Sequence, residues 1–148
     1  MRGATLDDCY ELAPKLRKED IKEIKANANL QPKDALIQGF QFSEIPLVIA
    51  NEKDEVVSMF GCCPIANNPS ALIWLLASDG LKDISIPFLK QCRGVTDIFQ
   101  KRYPILYNFV DERNTLHIKW LKWCGFTFIN KHERFGYEQI PFYEFIRI

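Results

Sequence analysis

The sequence predicts an α+β domain, layered in the α/β manner, built on a mixed sheet with helices against it. Three observations carry that expectation. Runs of β-type residues alternate with helical stretches in the order β-α-α-β-β-β-α-β-α-β-β. ALIWLLAS, residues 71–78, is apolar on both faces, as a strand in the middle of a covered sheet is. Phe88, Cys92, Val95 and Phe99 recur at i, i+4, i+7 and i+11, a spacing that puts all four on one side of a helix. The chain has 148 residues, 47% of them hydrophobic and 13% aromatic, enough to bury one core, so a single domain over 1–148 is expected.

Each element has its own signal. Residues 2–5 read as a short first strand. Asp7 or Asp8 can cap a helix that carries Pro14 in its early turns and runs on, charged, to about Lys25. Its basic stretches, Lys15–Lys18 and Lys22–Lys25, are interleaved with Glu19, Asp20 and Glu23, the pattern of a solvated face. A short second helix is expected within Gln31–Phe42. PLVIA, 46–50, is a strand ended by the turn NEKDE, and Val56–Ile65 is its hairpin partner, with Gly61 and Pro64 roughening its end. After the turn ANNPS comes strand 71–78. Ser85 is a candidate N-cap for the helix that holds the Phe88–Phe99 stripe, and Pro87 is tolerated so near a helix start. ILYNFV, 105–110, is the next buried strand.

The stretch NTLHIKWLKWCGFTFI, 114–129, reads as a helix handing over to a strand. Asn114 can cap it and Gly125 can supply the left-handed residue that ends it. Leu116, Trp120, Leu121, Trp123 and Cys124 fill one arc, with Lys119 and Lys122 turned away. His117 lies inside that arc, where a histidine held by one hydrogen bond is the ordinary expectation and a catalytic role the alternative. A strand from Phe126 to about Asn130, a turn near Arg134–Gly136 and a last strand in Phe142–Ile148 close the chain. The last strand is either interior, completing the sheet, or an edge that could pair with another chain.

Composition narrows the function classes. Nineteen basic residues balance nineteen acidic ones, and without a cluster of cations nucleic-acid binding is not expected. No signal peptide and no membrane span are read from the chain. The five cysteines (Cys9, Cys62, Cys63, Cys92, Cys124) form no CxxC, and His117 and His132 are the two histidines. No metal site is expected from that set, and reduced thiols imply a cytoplasmic location.

Two motifs carry a resemblance. N-x10-G-F, from Asn114 to Phe126, and R-x-A-T-x-x-D, from Arg2 to Asp8, resemble the closing and opening blocks of the GNAT superfamily of acyl-CoA-dependent N-acyltransferases. The order of elements matches over nearly the whole chain. The resemblance implies a mixed, mostly antiparallel sheet whose central strands 71–78 and 105–110 splay apart, flanked by helices, with acetyl-CoA or another acyl-CoA lying between them. Leu75, Leu76, Ala77 and Ser78 would then meet pantetheine and the oxyanion through main-chain groups, Ser85 would stand at the pyrophosphate end, and Asn114 would assist.

Both chemical signatures of that superfamily differ here. The glycine-rich Q/R-x-x-G-x-G/A turn is replaced by SDGLKDISIP, which has one glycine, Gly80, and two acids, Asp79 and Asp83, that repel a pyrophosphate. The tyrosine that serves many members as general acid is replaced by Leu121, which has no proton to give. Tyr107, or Tyr103, is the candidate replacement acid. Asp111 and Glu112 are the candidate bases, against the plainer reading of DERN as a polar loop. A further resemblance runs from about Ala71 onward: W-x-x-x-S-D (Trp74–Asp79), Y-N-F-V (Tyr107–Val110) and N-x-x-H-I-K-x-L-K (Asn114–Lys122) are similar to a family of short-tailed bacteriophages labelled internal virion or head-morphogenesis proteins. Two functions are therefore expected as alternatives. One is acyl transfer from acyl-CoA to an amine acceptor; the other is a catalytically silent fold that contacts phage or host proteins in virion assembly.

Overall fold

In a computed structural model, which describes residues 1–83 and 86–148, seven strands among the described residues form one sheet. They are β1 (Arg2–Gly3), β2 (Leu47–Ala50), β3 (Val56–Pro64), β4 (Ser70–Ala77), β5 (Ile105–Asp111), β6 (Thr127–Phe135) and β7 (Ile140–Arg147). The spatial order is β1-β2-β3-β4-β5-β7-β6, and every pair is antiparallel except β4–β5. That one parallel pair is short. Ser70, Ala71 and Leu72 face Ile105, Leu106 and Tyr107, and beyond them the strands part. Where they part, the Asn108 side-chain amide donates to the Ile73 carbonyl at 2.9 Å, taking over from the strand ladder. The C-terminal strand is interior: β7 lies between β5 and β6, so the edge-pairing alternative for PFYEFIRI falls and β6 is the edge.

The helices are α1 (Leu6–Leu12), α2 (Lys18–Ala28), α3 (Pro32–Phe42), α4 (Ile86–Arg102) and α5 (Thr115–Trp123). They cover both faces of the sheet. On one, Leu12, Ile24 and Leu36 from α1 to α3 bury against Val48, Met59 and Leu76. On the other, Cys92 and Phe99 of α4 and Trp120 and Leu121 of α5 bury against Phe60, Ile73, Leu75 and Phe145. The predicted stripe on α4 is thus the face it buries, whereas the expected Ser85 cap lies outside the described residues. At the end of α5, Gly125 adopts the left-handed conformation (φ 89°) the sequence asked of it. Trp123 leaves the predicted arc: it is 37% exposed and its indole N–H donates to the Leu89 carbonyl.

The N-terminal third differs from its prediction in two ways. Thr5, not Asp7 or Asp8, is the cap of α1; its hydroxyl accepts from the Asp8 N–H while the Asp8 carboxylate accepts from the Thr5 N–H. The expected single helix to Lys25 is also broken in two. After Pro14, in a 3-10 turn, Leu16 bridges to Ser78 and the Arg17 N–H donates to the Ala77 carbonyl at 2.8 Å. A strand contact outweighs helix continuation there, and α2 starts afresh at Lys18.

Asp8 also receives both arms of the Arg2 guanidinium, at 2.8 and 2.9 Å. Arg2, and after it the Thr5 N–H, holds the Asp8 carboxyl below the usual carboxylate range against the opposing effect of burial. A group depressed in this way stabilises the fold above its unfolded pKa and loses that contribution as pH falls through its native pKa. Asp8→Asn is expected to lower stability at neutral pH by about 1 kcal/mol. Below about pH 4 its acid-unfolding curve should flatten relative to wild type. Parallel curves in acid titration followed by circular dichroism would remove Asp8 from the acid limb.

Candidate functional site

The gap between β4 and β5 is the natural place to look, because it exposes main-chain groups that a continuous sheet would pair. Alternate residues of β4 turn their peptides toward β3 and toward the gap. Ser78 donates its N–H to Val57, so it faces β3, and Leu76 shares that side, its carbonyl accepting the Ser58 hydroxyl. Ile73, Leu75 and Ala77 face the gap. A cavity of about 490 Å3 opens there, between the gap and helices α2 and α3, with Ile24, Gly39, Trp74, Leu75, Asn108 and His117 among its walls.

The wide end of the gap is filled from α2. Asp20, fully buried, accepts the Ala77 N–H at 2.9 Å. One turn on, Glu23 accepts the Asp111 N–H at 2.8 Å from the opposite strand. Arg17, 2% exposed, places its guanidinium 3.2 Å from Asp20 and donates twice to the Asn114 side-chain oxygen. The Asn114 amide in turn donates to Asp20 at 2.8 Å and to Glu23 at 3.4 Å. His117, from α5, stands with Nδ1 3.7 Å from Glu23, and neither ring nitrogen has a hydrogen-bond partner among the described residues. Burial pushes the Asp20 carboxyl up; His117, Arg17 and the Asn114 amide oppose that shift.

These five residues were not grouped by the sequence, and three readings change. Arg17 and Asp20 are buried, so the stretch taken for a solvated face is one only on its outer side. Asn114 occupies the cap position of α5, but its side chain makes no capping bond because Arg17 and Asp20 hold it. His117 is buried as expected yet lacks the hydrogen bond expected for it. A signal was present: Asp20 falls four residues before buried Ile24, on the apolar stripe of α2.

The predicted site residues are dispersed. Asp111, at the end of β5, is 1% exposed and locked to Arg113, whose Nη2 lies 2.7 Å from the carboxylate. Glu112 pairs with Lys131 at 3.5 Å on the surface. Tyr107 sits where β4 and β5 are still paired, against Leu72 and Ile146, and is not part of the cavity wall. The Tyr103 hydroxyl donates to Glu44. Of the strand residues, Leu75 and Leu76 both line the cavity; the peptides of Leu75 and Ala77 turn to the gap, Ala77 with both groups engaged, and those of Leu76 and Ser78 turn to β3. The loop SDGLKD folds as a 3-10 turn over Asp79–Asp83, its Gly80 N–H turned back onto the Ser78 hydroxyl. Ser85 lies outside the described residues.

A family profile described as bacteriophage T7, probable scaffold protein Gp13, matches residues 48–133, more than half of the chain. The chain belongs to the Gp13 family. That agrees with the phage resemblance read from Trp74–Lys122. Solved structures similar to this Gp13-family chain are acetyltransferases of the GNAT fold, each covered over 99% of the present chain. One, from Bacillus anthracis, aligns with a TM-score of 0.70 at 9% identity over 92% of its length. A spermidine N-acetyltransferase from Vibrio cholerae, solved with CoA and spermine, aligns at 0.68 and 14% over 92%. A phosphinothricin acetyltransferase from Sinorhizobium meliloti, solved with AcCoA, aligns at 0.67 and 12% over 85%. At such identities the likeness establishes the GNAT fold. No curated protein matches the chain, and no helix among the described residues is long and apolar enough to cross a membrane.

Proposed function

We propose that this chain is a GNAT-fold protein of phage particle assembly that acts through contacts with other proteins and has given up acyl transfer. The observation that carries the reading is the pair of α2 carboxylates bonded to the Ala77 and Asp111 N–H groups on the two margins of the gap. Those amides are among the main-chain groups on the gap to which a pantetheine chain or a developing oxyanion would bond. Here they already have charged partners, and displacing them would strand Arg17, buried among Asp20 and Asn114. The pyrophosphate end fits no better, since Asp79 and Asp83 flank the one glycine of its turn and the Gly80 N–H is spent on Ser78. Acyl-CoA therefore does not suit the residues present, and membership of a family described as a probable scaffold protein points the same way.

A second reading, acyl transfer to an amine, is favoured by the cavity behind Leu75. One experiment separates the two. Thermal unfolding of the purified chain with and without millimolar acetyl-CoA is expected to give the same melting point. A ligand at a hundredfold its dissociation constant adds about 2.7 kcal/mol of stability. A gain of that size, with matching heat on calorimetric titration, would establish an acyl-CoA site and overturn the proposal. In infected cells the chain is expected to co-sediment with phage head intermediates, and its absence from them would count against the assembly role.

A further inference from the structure

We infer that Asp20, Glu23 and His117 form a binding site for a single divalent first-row metal ion of the zinc class, tying α2 to α5 through the gap in the sheet. Their ligand atoms lie within 4.8 Å of one another. A zinc-class ion stands about 2.0–2.2 Å from each nitrogen or oxygen ligand. In a tetrahedral shell two such ligands are thus about 3.4 Å apart, and side-chain rotations that bring the atoms together by about 1 Å close the triad. The carboxylates alone would carry no such reading. The independent observation is His117: its side chain is 6% exposed, both ring nitrogens lack partners among the described residues, and Nδ1 lies 3.7 Å from Glu23. A buried imidazole with no hydrogen bond is uncommon enough to need a cause.

The surroundings fit a metal's outer partners. Asp20 accepts from Arg17, Asn114 and the Ala77 N–H, and Glu23 accepts from the Asp111 N–H and Asn114. Asp20 Oδ1 and Glu23 Oε1 each take two of these bonds, which leaves Asp20 Oδ2 with one lone pair and Glu23 Oε2 with both for an ion; ligating carboxylates are ordinarily fixed in this way. Arg17 bears a positive charge next to Asp20, which weakens cation binding. Two carboxylates against one guanidinium still leave the pocket net negative before the ion enters. One imidazole with two carboxylates suits zinc, cobalt or manganese better than calcium or magnesium, which take oxygen sets. Glu23 and His117 both line the 490 Å3 cavity, which supplies an entry path and room for water at the remaining coordination positions. The site stands whether or not acyl-CoA binds, so failure of one proposal is distinct from failure of the other.

The test uses the 148-residue chain, stripped with EDTA and titrated with Co2+ alone, read by visible absorption and by melting point. One equivalent is expected to produce d–d bands and raise the melting point, and Zn2+ should displace the bands. Glu23→Gln keeps the shape that accepts the Asp111 amide, and His117→Ala removes the third ligand; each should bind Co2+ more than tenfold more weakly. Circular dichroism of both variants separates loss of binding from loss of fold; if one is unfolded, the other decides. No bands with folded wild-type protein, or affinity unchanged in the folded variants, overturns the site. So does a strong near-ultraviolet thiolate-to-cobalt band, which would assign the ion to a cysteine such as half-buried Cys63.

Discussion

Replacing Asp20 by alanine is expected to cost about 3–5 kcal/mol, the range for removing one partner of a buried ion pair. Three groups lose an acceptor at once: the Arg17 guanidinium, the Asn114 amide and the Ala77 N–H, the last of them its only one. None can turn to water, since Arg17 is 2% and Asn114 and Ala77 0% exposed. For a chain of this length the loss corresponds to a fall in melting temperature of ~10 °C. Exposed Glu19, 3.5 Å from Arg17, is too wet to replace Asp20. The double variant Arg17→Met, Asp20→Leu should recover the part of the loss due to the stranded guanidinium, while the Ala77 N–H stays without an acceptor. Chemical denaturation of the three proteins checks this; an Asp20→Ala midpoint within error of wild type would mean that the cluster holds nothing together.

Gly136→Ala should cost about 2–4 kcal/mol, combining a left-handed backbone with a steric clash. Gly136 sits at the tip of the β6–β7 hairpin with φ 71°, and a Cβ there would lie 2.7 Å from the Ala26 carbonyl oxygen and 2.8 Å from Asn27 Cα. Both are main-chain atoms of α2, so no side chain can swing away. The tip also caps that helix: the Tyr137 and Glu138 N–H groups donate to the Asn27 and Ala26 carbonyls at 3.0 and 2.9 Å. Pushing the hairpin off should loosen α2, and with it the Asp20 and Glu23 bonds across the gap. Amide exchange at Ala77 and Asp111 is therefore expected to quicken in Gly136→Ala. Gly125 gives a contrast, since a Cβ there meets only the flexible end of Arg147 at 3.2 Å. Equal costs at the two glycines would refute this account of Gly136.

Periodicity and punctuation were enough for most of the strands, for the stripe on α4 and for the glycine that ends α5, because each depends on residues a few positions apart. The break at Leu16–Arg17 was not legible, since its cause is the Ala77 carbonyl about sixty residues away. The same holds for Thr5, whose capping bond competes with nearby aspartates that could equally have served. Asn114 and His117 were recognised as notable, but their partners on α2 were read as surface charge. A helix shows its charged residues in sequence without showing which ones a later strand will cover.

By itself, then, the sequence determined the layered α+β fold from local pattern and the kinship with phage proteins from short motifs, while the splayed strand pair was expected only through the resemblance to the GNAT superfamily. Only the tertiary structure decided what fills the splay. Arg17, Asp20 and Glu23 lie some ninety residues from Asn114 and His117. They meet because β4 and β5 separate after Leu72 and leave amides at Ala77 and Asp111 that a buried chain must satisfy.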